Sequence, residues 1–107
     1  MGTRYARGRQ IEWKAQHELE KKGLSTIRTA GSHGLVDVIA WSDEEIIFIQ
    51  CKRSKVPIKA ACSFAADLEE MRNSRPLRGL SPKLRKIARV ELWVWVDRKG
   101  FQKIPVP

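Results

Sequence analysis

Asp37 interrupts an apolar run, Leu35-Val36-Asp37-Val38-Ile39-Ala40, and Gln50 and Lys52 close a second one, Ile46-Ile47-Phe48-Ile49-Gln50-Cys51-Lys52. A carboxylate among β-branched neighbours is unfavourable unless it is paired or bound to a metal. An amide oxygen and an ammonium within its reach would make a site suited to cleaving a phosphodiester. Carboxylate and amide oxygens are hard ligands, which select Mg2+ or Mn2+. A cation held there would polarise a phosphoryl oxygen and acidify a bound water. A nearby lysine would orient that water or meet the charge that builds on the phosphate. The alternative for Asp37 alone is a salt bridge to Lys52 at a frayed strand start, and the polar Gln50 opposite weighs against it.

Whether these residues meet depends on register. Both runs are rich in β-branched and aromatic residues and predict strands, Leu35 to Trp41 and Ile46 to Lys52, with Ser42-Asp43-Glu44-Glu45 as the turn of a hairpin. That turn pairs Trp41 with Ile46, Ile39 with Phe48, Asp37 with Gln50 and Leu35 with Lys52. Opposed residues share a face and side chains alternate along each strand. Asp37, Gln50 and Lys52 therefore fall on one face at one end of the hairpin, and a slip of one residue would separate Asp37 from Gln50. A second carboxylate lies upstream. From about Arg7 to Lys22 the pattern is helical, with Ile11, Ala15 and Leu19 every four residues and Gly23 as the stop. Glu12 lies on or beside that apolar stripe and joins the site if the helix packs over this end of the hairpin.

The other elements follow from local signals. Ser25 to Ala30 predicts a short strand, and Gly31-Ser32-His33-Gly34 a loop. Pro57 opens a helical region whose stripe is Ala61, Phe64, Ala65, Leu68 and Met71, ending near Arg72. Asn73 to Leu80 is irregular and basic. Ser81-Pro82 reads as an N-cap and first helical position of a short helix to about Ala88. Val90 to Val96 and Phe101 to Val106 predict strands around an Asp97-Gly100 turn. The order αβββα(α)ββ describes an α/β fold, a mixed β-sheet flanked by helices, and 107 residues suit a single domain. Trp93 and Trp95 share one face of their strand and Leu92, Val94 and Val96 the other, which makes it central or part of a dimer interface. Trp13 and Trp41 read as core residues.

The chain carries a formal net charge of +9 and has a pI near 10.1, which points to a polyanion partner. Arg4, Arg7 and Arg9 lead into the first helix, and Arg53, Lys55 and Lys59 follow Lys52. Arg72, Arg75, Arg78, Lys83, Arg85, Lys86 and Arg89 crowd the later basic stretch. Such groups bind phosphates without reading bases. The sequence holds no recognition-helix or finger motif, which favours recognition of DNA shape. Cys51 and Cys62 lack zinc-site spacing and read as small core residues, as in a reducing interior. No apolar run is long enough to span a bilayer and Met1 to Gln10 has no signal-peptide core, so a soluble intracellular protein is expected, cytoplasmic or nucleoid-associated and away from membranes.

At these positions the sequence resembles a known group. Gly34-Leu35-Val36-Asp37 followed by Ile49-Gln50-Cys51-Lys52 resembles the D…(D/E/Q)xK signature of the PD-(D/E)XK nuclease superfamily. Arg7-Gly8-x-x-x-Glu12 and the Ala30-Gly31-Ser32-His33-Gly34 loop are similar to the archaeal-type Holliday junction resolvase family. The resemblance implies a restriction-endonuclease-like fold and a metal-dependent endonuclease that hydrolyses DNA to 5′-phosphate and 3′-hydroxyl ends. It implies a homodimer that nicks two strands of a four-way junction. It implies Glu12, Asp37 and Gln50 as side-chain metal ligands, the Cys51 main-chain carbonyl as another, and Lys52 as the catalytic lysine. Ser32 matches a loop serine that approaches the scissile phosphate. His33 stands beside it and is grouped with Arg4, Arg7, Arg9, Arg53, Lys55, Arg72 and Arg75 as DNA-binding. The chain departs from the usual pattern at Gln50, where a carboxylate is common. An amide coordinates without adding charge, which predicts a weaker hold on the cation. Three other readings stay open at this level: a restriction- or repair-type nuclease acting on other DNA, a DNA-binding module of the same fold with weak chemistry, and a basic protein- or RNA-binding domain.

Overall fold

The structure is a computed structural model. It describes residues 4–29, 36–54, 65–73, 79 and 81–106, with the backbone alone at 4–9, 65 and 67. The elements run α1 (Arg4–Lys21), β1 (Ser25–Arg28), β2 (Val38–Trp41), β3 (Ile46–Ser54), α2 (Ala65–Asn73), a 3-10 turn (Leu84–Lys86), β4 (Ala88–Val96) and β5 (Gly100–Pro105). This is the expected order, with the second short helix reduced to one 3-10 turn that the Ser81 hydroxyl caps by accepting from the Leu84 N–H at 3.2 Å.

α1 ends where the sequence stops it. The Gly23 N–H donates to the Glu20 carbonyl and the Leu24 N–H to the Leu19 carbonyl, with Gly23 at φ +93°. This double bond satisfies helix-end carbonyls and requires the left-handed backbone that glycine adopts most easily.

The five strands stand in chain order, β1-β2-β3-β4-β5. Neighbours are antiparallel except β3 and β4, which are parallel. A parallel pair needs a long crossover, and the stretch that contains α2 supplies it. The β2–β3 register is the expected one: Trp41 pairs with Ile46, Ala40 with Ile47, Ile39 with Phe48 and Val38 with Ile49.

Both faces of the sheet are covered. On one, Ala15 and Leu19 of α1 pack on Val38, Ala40, Ile47, Ile49 and Trp93. On the other, Met71 and Leu68 of α2 pack on Val90, Leu92, Val94, Val96 and Val106. Strand β4 is therefore an interior strand with both faces packed, one of the two places its apolar faces allowed. Two expectations fail. Trp13 is 52% exposed and Trp41 40% exposed, so neither is a core residue. The α1 core stripe is Ile11, Ala15 and Leu19, and Trp13 lies outside it. Trp41 stands at the last pair before the turn.

Candidate active site

Strand β2 begins at Val38, yet the Asp37 N–H donates to the Ile49 carbonyl at 2.8 Å, and Ile49 is already the partner of Val38. Pairing against β3 thus steps by one residue at Asp37. On its other side Asp37 stays in step with β1, accepting from the Thr29 N–H at 3.0 Å. The side chain then reaches over the β3 backbone, where Asp37 Oδ2 accepts from the Cys51 N–H at 2.9 Å. Simple alternation had set Asp37 squarely opposite Gln50; its carboxylate instead caps the strand edge at Cys51.

This leaves β3 distinctive. It continues through Ser54, paired with β4 as far as Val96, while the last β2 pair is at Ile49. Along a strand, the N–H and C=O of one residue point the same way, toward alternate neighbours. The Cys51 N–H points to the β2 side, so its carbonyl does too, and no described strand pairs there. Gln50 and Lys52, one residue to either side, have the parity of Phe48 and face the α2 side of the sheet.

α1 delivers Glu12 from the other side. It is half-buried, and Arg28 Nη1 lies 3.5 Å from its Oε1. Burial raises the Glu12 carboxyl above its ordinary range, the Asp37 charge raises it further, and Arg28 opposes both. Asp37 is also raised, by burial foremost, with the Cys51 N–H and the Lys52 ammonium pulling it down. The Cys51 thiol is pushed far up by burial and by both carboxylates. These couplings place Glu12, Asp37, Cys51 and Lys52 in one electrostatic neighbourhood.

Gln50 is 7% exposed, and its buried Oε1 finds no donor among the described residues. An orphaned acceptor of this kind is rare and needs a reason. Two half-buried carboxylates that repel one another, and an unsatisfied amide oxygen beside Cys51 on β3, are oxygens of the kind a hard cation takes. The Cys51 carbonyl, facing the same edge, adds a fourth oxygen. Among the described residues no group of three or more His, Cys, Asp or Glu gathers for a metal, so the donors available here are oxygens of mixed type. The residues present fit Mg2+ or Mn2+.

The remaining expected site residues divide. Ser32, His33, Lys55 and Arg75 lie outside the described residues, and Arg4, Arg7 and Arg9 are described only as helix backbone. Arg72 is exposed at the end of α2. Arg53 is held by Asp97 through two bonds, Nε to Oδ1 at 3.1 Å and Nη2 to Oδ2 at 3.2 Å, and would have to leave that carboxylate to meet a phosphate. Sequence reasoning did not single out Arg28. Its pairing with Val38 sets it one step from Asp37 and against Glu12, and no local pattern signals that.

The mixed five-stranded sheet has a counterpart among solved structures. The fold superimposes on a Holliday junction resolvase of Archaeoglobus fulgidus with a TM-score of 0.63 and 23% identity, over 94% of this chain and 73% of that one. The fold is that of a Holliday junction resolvase. The family model for the archaeal Holliday junction resolvase (Hjc) matches residues 3–66, a stretch that holds Glu12, Asp37, Gln50 and Lys52. The chain belongs to the archaeal Holliday junction resolvase family. A crossover junction endodeoxyribonuclease Hjc of Methanocaldococcus jannaschii is 41% identical over 54 residues, which are 50% of this chain and 40% of that protein. The chain thus spans less than half the length of this curated relative.

Proposed function

We propose that this chain is a divalent-cation-dependent endodeoxyribonuclease that cleaves branched DNA, four-way junctions foremost, by phosphodiester hydrolysis. The observation that carries the reading is the Asp37 carboxylate anchored on the Cys51 N–H at the edge of β3, with Glu12 and Lys52 coupled to it. Glu12, Asp37, Gln50 and the Cys51 carbonyl would hold Mg2+ or Mn2+, and Lys52 stands beside them. When bound, the cation supplies Lewis-acid activation of a phosphoryl oxygen and of an attacking water. The Cys51 N–H fixes the Asp37 carboxylate before any ligand arrives. The Lys52 ammonium opposes the burial that raises Asp37, and we assign it to orient the nucleophile. Ser32 is assigned to the scissile phosphate on family resemblance. We assign binding of the DNA arms to the basic side chains, a homodimer as the unit that nicks two strands, and an intracellular, nucleoid-associated location. No described helix is long and apolar enough to cross a membrane.

Gln50 favours one other reading, a DNA-binding module with weak chemistry, because a neutral amide stands where a carboxylate would hold the cation harder. Incubating labelled four-way junction, duplex and single-stranded DNA with a Mg2+ and Mn2+ series separates the two. Metal-dependent cleavage of the junction supports the nuclease, and binding without cleavage in any metal supports the module. Cleavage that survives Asp37→Ala or Lys52→Ala sinks the site.

A further inference from the structure

α1 lies across β1, β2 and β3. On the same side of the sheet Trp93 is buried beneath α1 and Lys103 reaches Glu18 of that helix, while Trp95 of β4 and Phe101 of β5 are only partly buried. An open groove of about 920 Å³ runs between these two rings and α1. Its floor holds Trp95 and Phe101, and its wall Trp13, Lys14, His17 and Lys21. Trp95 and Phe101 meet edge to face, 5.1 Å apart at 75°, and Lys14 Nζ sits 4.0 Å above the Trp95 ring. Trp13 is half-exposed. Among the described lining residues the one carboxylate is Glu18, and Lys103 holds it at 2.6 Å, so the field left in the groove is that of the Lys14 and Lys21 ammoniums.

We propose that this groove binds single-stranded DNA, with bases stacking on Trp13, Trp95 and Phe101 and phosphates meeting Lys14 and Lys21. Aromatic rings beside cations are the chemistry that holds unpaired nucleotides without regard to sequence, because every base has a π-face and every nucleotide a phosphate. A neutral protein partner would bury the same rings but leave the ammoniums uncompensated, and a net charge of +9 favours the polyanion. The Lys14 contact with Trp95 is compatible with this. At an exposed site a cation–π contact is weaker than base–aromatic stacking, so a base takes the ring face and the ammonium turns to the phosphate. Trp13, in the wall of the groove, is the residue after Glu12 on α1, so the groove and the candidate active site share this helix. The inference rests on the nuclease reading for its choice of DNA, and it narrows the substrate to branched DNA with unpaired nucleotides near the cut.

The test is anisotropy of a fluorescein-labelled oligothymidylate of about 20 nucleotides, at low salt in EDTA, beside an abasic chain of the same length. The wild-type chain should bind the oligothymidylate more tightly than the abasic chain, with quenching of tryptophan fluorescence. Trp13→Ala should weaken oligothymidylate binding about tenfold and leave abasic binding unchanged, whereas Trp13→Phe should keep most of it. Lys21→Ala should weaken both probes equally and lower the salt dependence. Equal binding of the two probes by the wild type overturns the proposal even if Trp13→Ala fails to fold, and so does a folded Trp13→Ala that binds like the wild type. Because these measurements contain no metal, junction cleavage without preference for the base-bearing probe overturns the groove alone. Base-dependent binding without cleavage in any metal overturns the nuclease reading and supports the groove.

Discussion

Replacing Gln50 by methionine should make the metal-free protein more stable and the metal-bound protein relatively less so. The Gln50 side chain is buried and its Oε1 has no donor among the described residues. A buried acceptor left unsatisfied costs about 1–3 kcal/mol, and a near-isosteric apolar side chain removes that cost. Methionine is flexible enough to fill the same space beside Leu92, its neighbour across β4. Part of the benefit is offset because the amide nitrogen and its polar interactions go too. A net gain of about 1 kcal/mol is expected, or a rise in Tm of about 4–8 °C for a domain of this size. In Mg2+ the order of gains reverses. A ligand at one hundred times its Kd stabilises by about 2.7 kcal/mol, and the variant, short of one oxygen ligand, should gain much less at the same concentration. Thermal unfolding of both proteins in EDTA and across a Mg2+ titration reads both effects. A Gln50→Met protein that melts below the wild type in EDTA would falsify the argument, since the amide oxygen must then be satisfied and cannot be waiting for a cation. Gln50→Glu is the converse, with a lower Tm in EDTA from a third repelling carboxylate and a larger rise with Mg2+.

Other outcomes follow from the same geometry. Glu12 and Asp37 both titrate above their ordinary values of 4.5 and 3.8 in the fold, so the folded chain keeps protons that the unfolded chain has released. Their contribution to stability is full below the ordinary carboxylate range and is lost as pH rises through the raised values; Glu12→Gln with Asp37→Asn should flatten that part of a pH–stability curve measured in EDTA. The Cys51 thiol, raised by burial and two carboxylates, should resist iodoacetamide at neutral pH in the folded protein and react once urea unfolds it, as peptide mapping will show. Trp93 is 1% exposed, bonded through Nε1 to Glu91 at 2.8 Å and packed on Phe101 at 5.1 Å. Trp93→Ala should cost about 3–5 kcal/mol in urea unfolding, and a cost below about 1 kcal/mol would contradict its place in the core.

Much of the site was legible because its determinants are local. The four-residue turn and the alternation of apolar residues fix the β2–β3 pairs from Trp41 with Ile46 to Val38 with Ile49, and the sequence contains both. The four-residue spacing of Ile11, Ala15 and Leu19 sets the buried side of α1 and puts Glu12 beside it. Gly23 ends that helix through a backbone conformation that few residues accept.

What remained hidden depends on neighbours distant in the chain. Alternation continued through Asp37 predicts a face-to-face partner for Gln50, but Asp37 answers to β1 and β3 together. It keeps step with Thr29 while slipping by one against Ile49, and its carboxylate goes to the Cys51 N–H. The pairing of Arg28 with Glu12 and of Arg53 with Asp97 joins residues whose separation carries no periodic signal. The exposure of Trp13 and Trp41 was equally out of reach, since hydrophobicity predicts a wish to be buried and not whether a partner surface exists. The sequence by itself determined which residues to propose for the chemistry and the β2–β3 register that brings Asp37, Gln50 and Lys52 to one end of a hairpin. Only the tertiary structure decided how Asp37 is aimed, because a strand end is shaped by whichever strands happen to flank it.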